Sequence, residues 1–352
     1  MKPSLFKTSV LVLLGRVAAA KVYNHVAQFS IDGFHASDLT KYVALYPNST
    51  LATLLKTGYQ YTDCFTTAPS DSFPGTLAPL TGANPRTTGV WYDVIWDRSY
   101  YDPGSNCTGP SDTTITDDET LEYNDTMVFS GGINPANLPL KLINGTCTPI
   151  YPHMRSRVNN LFEIIRSKGL DTAYTDKHAA YDLVRGPSGT GLSVGYFPEM
   201  AAYPNTINDT IAYDTLHVNA FLDWLNVTTP ENSEGRLSRI PTYFGGNFQA
   251  VSVGQKIAGY ENATGFPFTS GLLSAINFVD ASLGQVVTKM KLVGIYNDTL
   301  ISVVSKHGQT PINPALFTEV DPDALMNGTG VELAGIAVCL PSCFIGTNPT
   351  GG

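Results

Sequence analysis

Four apolar runs along the chain break off abruptly into polar residues. His25–Ile31 leads into Asp32-Gly33, Thr172–Thr175 into Asp176-Lys177-His178, Ile240–Phe244 into Gly245-Gly246-Asn247, and Thr299–Ser305 into Lys306-His307-Gly308. Short apolar runs closed by turn-forming residues predict buried strands. Between them, apolar residues recur at helical spacing: Val158, Leu161, Phe162 and Ile165 within 155–168, Leu216, Ala220 and Leu225 within 211–225, and Leu273, Ile276, Leu283, Val286 and Met290 within 271–292. Strands alternating with helices predict an α/β fold, with a mostly parallel central sheet covered by helices on both faces. Chemistry in such folds collects at the carboxyl ends of the strands, where these polar residues fall. Residues 99–152 break the alternation; they are rich in Gly, Pro, Asp and Thr and read as a loop insertion over one edge of the sheet. One α/β domain over 21–314 is expected, followed by an atypical tail over 315–352.

The first twenty residues run from basic (Lys2, Lys7) through apolar (Val10 to Leu14) to small (Ala18-Ala19-Ala20), the order of a secretory signal peptide. Removing them takes away three basic residues and moves the net charge from −9 to −12. Only 14 % of residues are charged, against 43 % hydrophobic, which excludes a disordered acidic chain. The acidic balance argues against nucleic-acid scaffold binding, which needs a basic stripe. No segment after the leader is apolar for the roughly 18 residues of a membrane span. Nine Asn-X-Ser/Thr sequons, at Asn48, Asn106, Asn124, Asn144, Asn208, Asn226, Asn262, Asn297 and Asn327, agree with a secreted, glycosylated protein. Of five cysteines, Cys107 and Cys147 flank the polar insertion and are expected to pair as a loop staple. Cys64, Cys339 and Cys343 remain, an odd number.

The stretch Thr67-Ala-Pro-Ser-Asp-Ser72-Phe-Pro carries the most chemistry. Proline is accepted in a helix's first turn, so Ser72 falls at or just before the amino end of a helix that closes at Gly82. Free backbone N–H groups there attract an anion such as phosphate. A hydroxyl in that place is either an N-cap or a nucleophile. Asp71 beside it is either a capping residue or a brake on anion binding.

Together, Ser30-Ile-Asp32-Gly-Phe, Ser72-Phe-Pro, Leu80-Thr-Gly82 and Lys306-His307-Gly308 resemble the type I phosphodiesterase/nucleotide pyrophosphatase family of the alkaline-phosphatase superfamily. The likeness runs from about Val22 to Pro314. It implies an alkaline-phosphatase-like core, a small anionic phosphoester substrate, Asp32 and His307 as metal ligands and Ser72 as nucleophile. In that chemistry, zinc polarises the phosphoryl oxygens and activates the hydroxyl, which forms a covalent intermediate later cleaved by water.

The sequence also departs from the family. Asp-His-Gly is replaced by Lys306-His307-Gly308, and an ammonium cannot coordinate a cation. Asn247 falls where the family has a metal-binding Asp, and the histidine expected after it is absent. One divalent ion, zinc by its ligand types, is therefore expected in place of two, with Lys306 supplying the second positive charge. Asp176 and His178 are further candidate ligands or substrate contacts; they also fit a solvated strand-end turn. Two functional readings follow: a secreted hydrolase of phosphodiester or phosphoanhydride bonds, which the retention of Asp32, Ser72 and His307 favours, or a catalytically silent binding relative.

Overall fold

The computed structural model describes residues 22–111, 113–116, 121–313, 315–318, 333–339 and 342–347. The expected leader, residues 1–20, and the sequon at Asn327 lie outside these residues. In chain order the elements are β1 (His25–Ile31), α1 (Ala36–Leu45), α2 (Thr50–Thr57), α3 (Ser72–Thr81), α4 (Pro85–Thr88), β2 (Val94–Asp97), β3 (Thr113–Thr116), β4 (Leu140–Ile143), β5 (Thr146–Pro149) and α5 (Leu161–Arg166). There follow β6 (Thr172–Thr175), β7 (Val194–Tyr196), α6 (Ile207–Trp224), β8 (Glu234–Gly235), β9 (Tyr243–Phe248), α7 (Ala250–Ile257), α8 (Ser270–Leu292), β10 (Thr299–Val304), β11 (Leu333–Cys339) and β12 (Ser342–Thr347).

The central sheet has the order β10-β1-β9-β6-β7-β8. Its strands pair in parallel except at the β7–β8 edge. Alternation along each strand sends residues to two separate cores. Phe29, Ile31, Ala173 and Phe244 pack with α6, α7 and α8 through Phe221, Val251 and Leu283. Tyr174 and Tyr243 face the other way, onto Leu80 of α3 and Phe162 of α5. Both faces are thus buried, as a parallel sheet requires.

The pattern expected over 155–168 resolves into something shorter. Pro152 opens a 3₁₀ turn that ends at Arg155. The helix proper begins only at Leu161, behind Asn160, whose side chain accepts from the Glu163 amide at 3.1 Å while the Glu163 carboxylate receives the Asn160 amide. Residues 94–149 hold two antiparallel strand pairs, β2–β3 and β4–β5. Cys107 and Cys147 form the expected disulfide, Cα to Cα 5.7 Å. Cys64 is free and exposed. Among the described residues no helix is long and apolar enough to cross a membrane.

Candidate active site

Strand register alone assembles the charged cluster. Ser30 of β1 pairs with Asn247 of β9 on one side and with Val304 of β10 on the other, and Thr175 of β6 pairs with Gly246. Asp32, Asn247, Lys306 and Asp176 therefore emerge together at the carboxyl ends of four neighbouring strands. The Lys306 ammonium lies 3.5 Å from Asp32 Oδ2 and 3.7 Å from Asp176 Oδ1. It donates to the Tyr181 hydroxyl at 2.7 Å and sits 4.7 Å from the centre of that ring. His307 Nε2 is 3.7 Å from Asp32 Oδ1. Asn247 donates through Nδ2 to Asp176 Oδ1 at 3.4 Å, and Tyr174 donates its hydroxyl to Asp176 Oδ2 at 3.0 Å.

The two carboxyl groups are tuned in opposite directions. Burial alone would raise Asp32, but the charges of Lys306, His307 and Lys177 and a hydrogen bond from Asn247 hold it below the ordinary carboxylate range. At Asp176 burial prevails, reinforced by the neighbouring Asp32 charge, and its pKa is raised although Lys306 pulls the other way.

Ser72 is the first residue of α3 and is buried, with Pro74 in the first turn and Gly82 in the left-handed conformation that ends the helix. Asp71, not Ser72, takes the capping position, so the structure removes the N-cap role for the serine. The Asp71 side chain does not cap either; it accepts the Asp93 amide at 2.9 Å. Two contacts bind α3 to the cluster. A Cβ at Gly75 would come within 2.1 Å of the Lys306 carbonyl oxygen, so glycine is what lets the helix lie against that strand end. Phe73 packs edge-to-face on Tyr181, ring centres 5.3 Å apart.

Of the residues singled out in the sequence, the structure unites Asp32, Lys306, His307, Asn247 and Asp176, with Ser72 on the helix packed against them. His178 is engaged elsewhere, its Nδ1 2.7 Å from Glu199 Oε1. Tyr181, the closest hydrogen-bond partner of Lys306, carries no signal in the sequence, since it lies among apolar residues in a 3₁₀ turn over Ala179–Arg185. Tyr174 had a weak signal, on the strand that Asp176 directly follows.

A catalytic zinc keeps three protein ligands. Among the described residues no three His, Cys, Asp or Glu side chains come together as a metal cluster. Asp32 Oδ1 and Asn247 Oδ1 are both buried without a hydrogen-bond partner, and Asp32 Oδ1 faces His307. Asn247 is a neutral amide, however, and the remaining carboxylate oxygens, Asp32 Oδ2 and Asp176 Oδ1, face the Lys306 ammonium. The donor set does not fit the ion that the resemblance implies.

A sequence profile of the Type I phosphodiesterase / nucleotide pyrophosphatase family matches residues 26–327. No curated protein matches the chain. Among solved structures, murine ectonucleotide pyrophosphatase / phosphodiesterase 5 is similar with a TM-score of 0.51 at 15 % identity, covering 93 % of this chain and 67 % of its own. The same murine protein, in an inactive threonine-to-alanine form in complex with AMP, gives 0.50 at 15 % identity, covering 94 % of this chain and 67 % of its own. The alkaline phosphatase PafA gives 0.53 at 9 % identity, covering 93 % of this chain and 73 % of its own. At these identities the likeness establishes the alkaline-phosphatase-like α/β fold.

Proposed function

The chain belongs to the type I phosphodiesterase/nucleotide pyrophosphatase family, and from that premise we propose that it hydrolyses phosphodiester or phosphoanhydride bonds of small anionic substrates through the Ser72 hydroxyl. The observation that carries this reading is the place of Ser72, first in a helix that Gly75 and Phe73 tie to the Lys306 cluster. The amino end of that helix favours a phosphoryl group. Attack by Ser72 Oγ forms the Oγ–P bond and breaks the bond from phosphorus to the leaving oxygen, with the hydroxyl proton passing to the leaving group or to water. A water molecule then breaks the Oγ–P bond, releasing the phosphoryl product and restoring the serine. Lys306 offsets the charge of Asp32 and Asp176, which would otherwise repel an anionic ester. The murine relative solved with AMP, inactive with alanine in place of a threonine, supports a hydroxyl side chain for this task and a nucleotide-like ester as substrate.

The same proposal places the protein outside the cell. Eight sequon asparagines, Asn48, Asn106, Asn124, Asn144, Asn208, Asn226, Asn262 and Asn297, are exposed and so open to glycosylation. The Cys107–Cys147 bond fits an oxidising compartment.

The test is steady-state hydrolysis of a chromogenic phosphodiester by wild type and Ser72→Ala. The expected loss of kcat is on the order of 10³-fold or more. Turnover that survives Ser72→Ala removes the serine as nucleophile. A wild type inert toward mono-, di- and sulfate esters would make the chain a silent relative.

A further inference from the structure

The centre in which a cation would be expected already contains one, supplied by the chain. Lys306 Nζ lies between Asp32 Oδ2 at 3.5 Å and Asp176 Oδ1 at 3.7 Å, with the Tyr181 hydroxyl as a third oxygen at 2.7 Å. Its side chain is 1 % exposed, so the ammonium is held inside and does not trail into solvent. The backbone fixes it there. β10 is locked to β1 in register up to Ser30–Val304, the Lys306 amide donates to Ser30 Oγ at 3.2 Å, and α3 closes over the Lys306 carbonyl at Gly75.

We propose that the Lys306 ammonium permanently takes the place of a divalent cation between Asp32 and Asp176, so that the protein folds and acts without a bound metal. A divalent ion brought to the same oxygens would meet a positive charge that has no lone pair to offer and no route to solvent. Two buried carboxylates of like charge need a compensating cation within a few ångströms, and the lysine provides it through the covalent chain. Asn247 completes the arrangement as a neutral donor to Asp176, where an acid would have added a further negative charge. The part of the proposal that concerns turnover rests on the hydrolase reading; the part that concerns folding does not.

The experiment uses the full-length glycosylated protein. Metal content is measured by elemental analysis, and thermal unfolding is followed with EDTA, with added zinc chloride, and with neither. Wild type is expected to carry well under one equivalent of metal and to keep the same unfolding midpoint in all three conditions. One tightly held equivalent, or a midpoint lowered by EDTA, overturns the proposal. Lys306→Asp exchanges the internal cation for a third carboxylate and is expected to unfold at a higher temperature with zinc than without it. No zinc-dependent gain in that variant counts against the assignment. The wild-type measurement decides without the variant if the variant does not fold. Activity separates the two readings. A metal-free, EDTA-indifferent protein inert toward esters sinks the hydrolase and leaves the ammonium in place. A protein that cleaves esters only when loaded with metal does the reverse.

Discussion

Lys306 is 3 % exposed, and a buried ammonium is stable only where its three protons find partners. The two carboxylate contacts are long, at 3.5 and 3.7 Å, whereas the bond to the Tyr181 hydroxyl is 2.7 Å. The tyrosine oxygen is therefore the strongest single hydrogen-bond partner the ammonium has. Tyr181→Phe removes that oxygen and keeps the ring that Phe73 and Lys306 both contact. The expected cost is about 1.5–3 kcal/mol, the range for a hydrogen bond to a charged group. It reads as a lower urea midpoint with an unchanged slope; an unmoved midpoint would mean the carboxylates hold the ammonium alone. Asp32, Asp176, Lys306 and His307 were legible in the sequence because each follows a short apolar run that reads as a buried strand, and Asp32 and His307 also because their motifs resemble those of the family. Tyr181 was not, because its partner arrives from a strand 125 positions away in sequence.

Elements were legible in proportion to their length and the clarity of their stops. β1 and β6 match the expected runs, and α8 begins one residue earlier than expected behind the Thr269 cap. α7, eight residues with a glycine inside, offers too little periodicity to be read, and β7 and β8 are only three and two residues long. The amino end of α7 is held from outside, by Asp214 of α6 accepting the Gln249 and Ala250 amides at 2.9 and 2.8 Å. No local pattern reports a cap borrowed from another helix. Helix α3 shows the same limit from the other side: Gly75 looks like a defect in a helix, and alanine there should gain roughly 1 kcal/mol of propensity. Contact reverses the sign, since the added methyl would stand 2.1 Å from the Lys306 carbonyl oxygen, backbone that cannot turn aside. Gly75→Ala is expected to lower both the unfolding midpoint and kcat, by pushing Ser72 away from the cluster. An alanine variant as stable and active as wild type would mean that α3 does not need this close approach.

Across the whole molecule, the dependence of stability on pH is a sum over carboxyl groups and the buried His217, which folding shifts in opposite directions. Asp32 and Asp171 are lowered despite burial, the first by Lys306 and His307, the second by hydrogen bonds from Ser238, Ser193 and Arg239. Their contribution is complete above the ordinary value of 3.8 and is lost as pH falls through their folded values, so they shape only the acid limb. Glu122 behaves in the opposite sense. Burial and the Glu199 charge push it up to about 7 from an ordinary 4.5, against the pull of the Ala179 amide, which donates to it at 2.7 Å. The folded state thus binds a proton that the unfolded chain has already released. That contribution is complete below pH 4.5 and disappears as pH rises through about 7. Between these two values Glu122 lowers the unfolding free energy, in the same sense as the raised Asp176 and Asp214 and opposite to His217, whose pKa burial lowers to about 3, while Asp32 and Asp171 are constant. Glu122→Gln keeps an acceptor for the Ala179 amide and has no proton to release, so its unfolding free energy should fall less, or rise more, than that of wild type over the same range. Urea titrations at half-unit pH steps read the two slopes directly, and equal slopes in wild type and variant would assign the loss to a group other than Glu122.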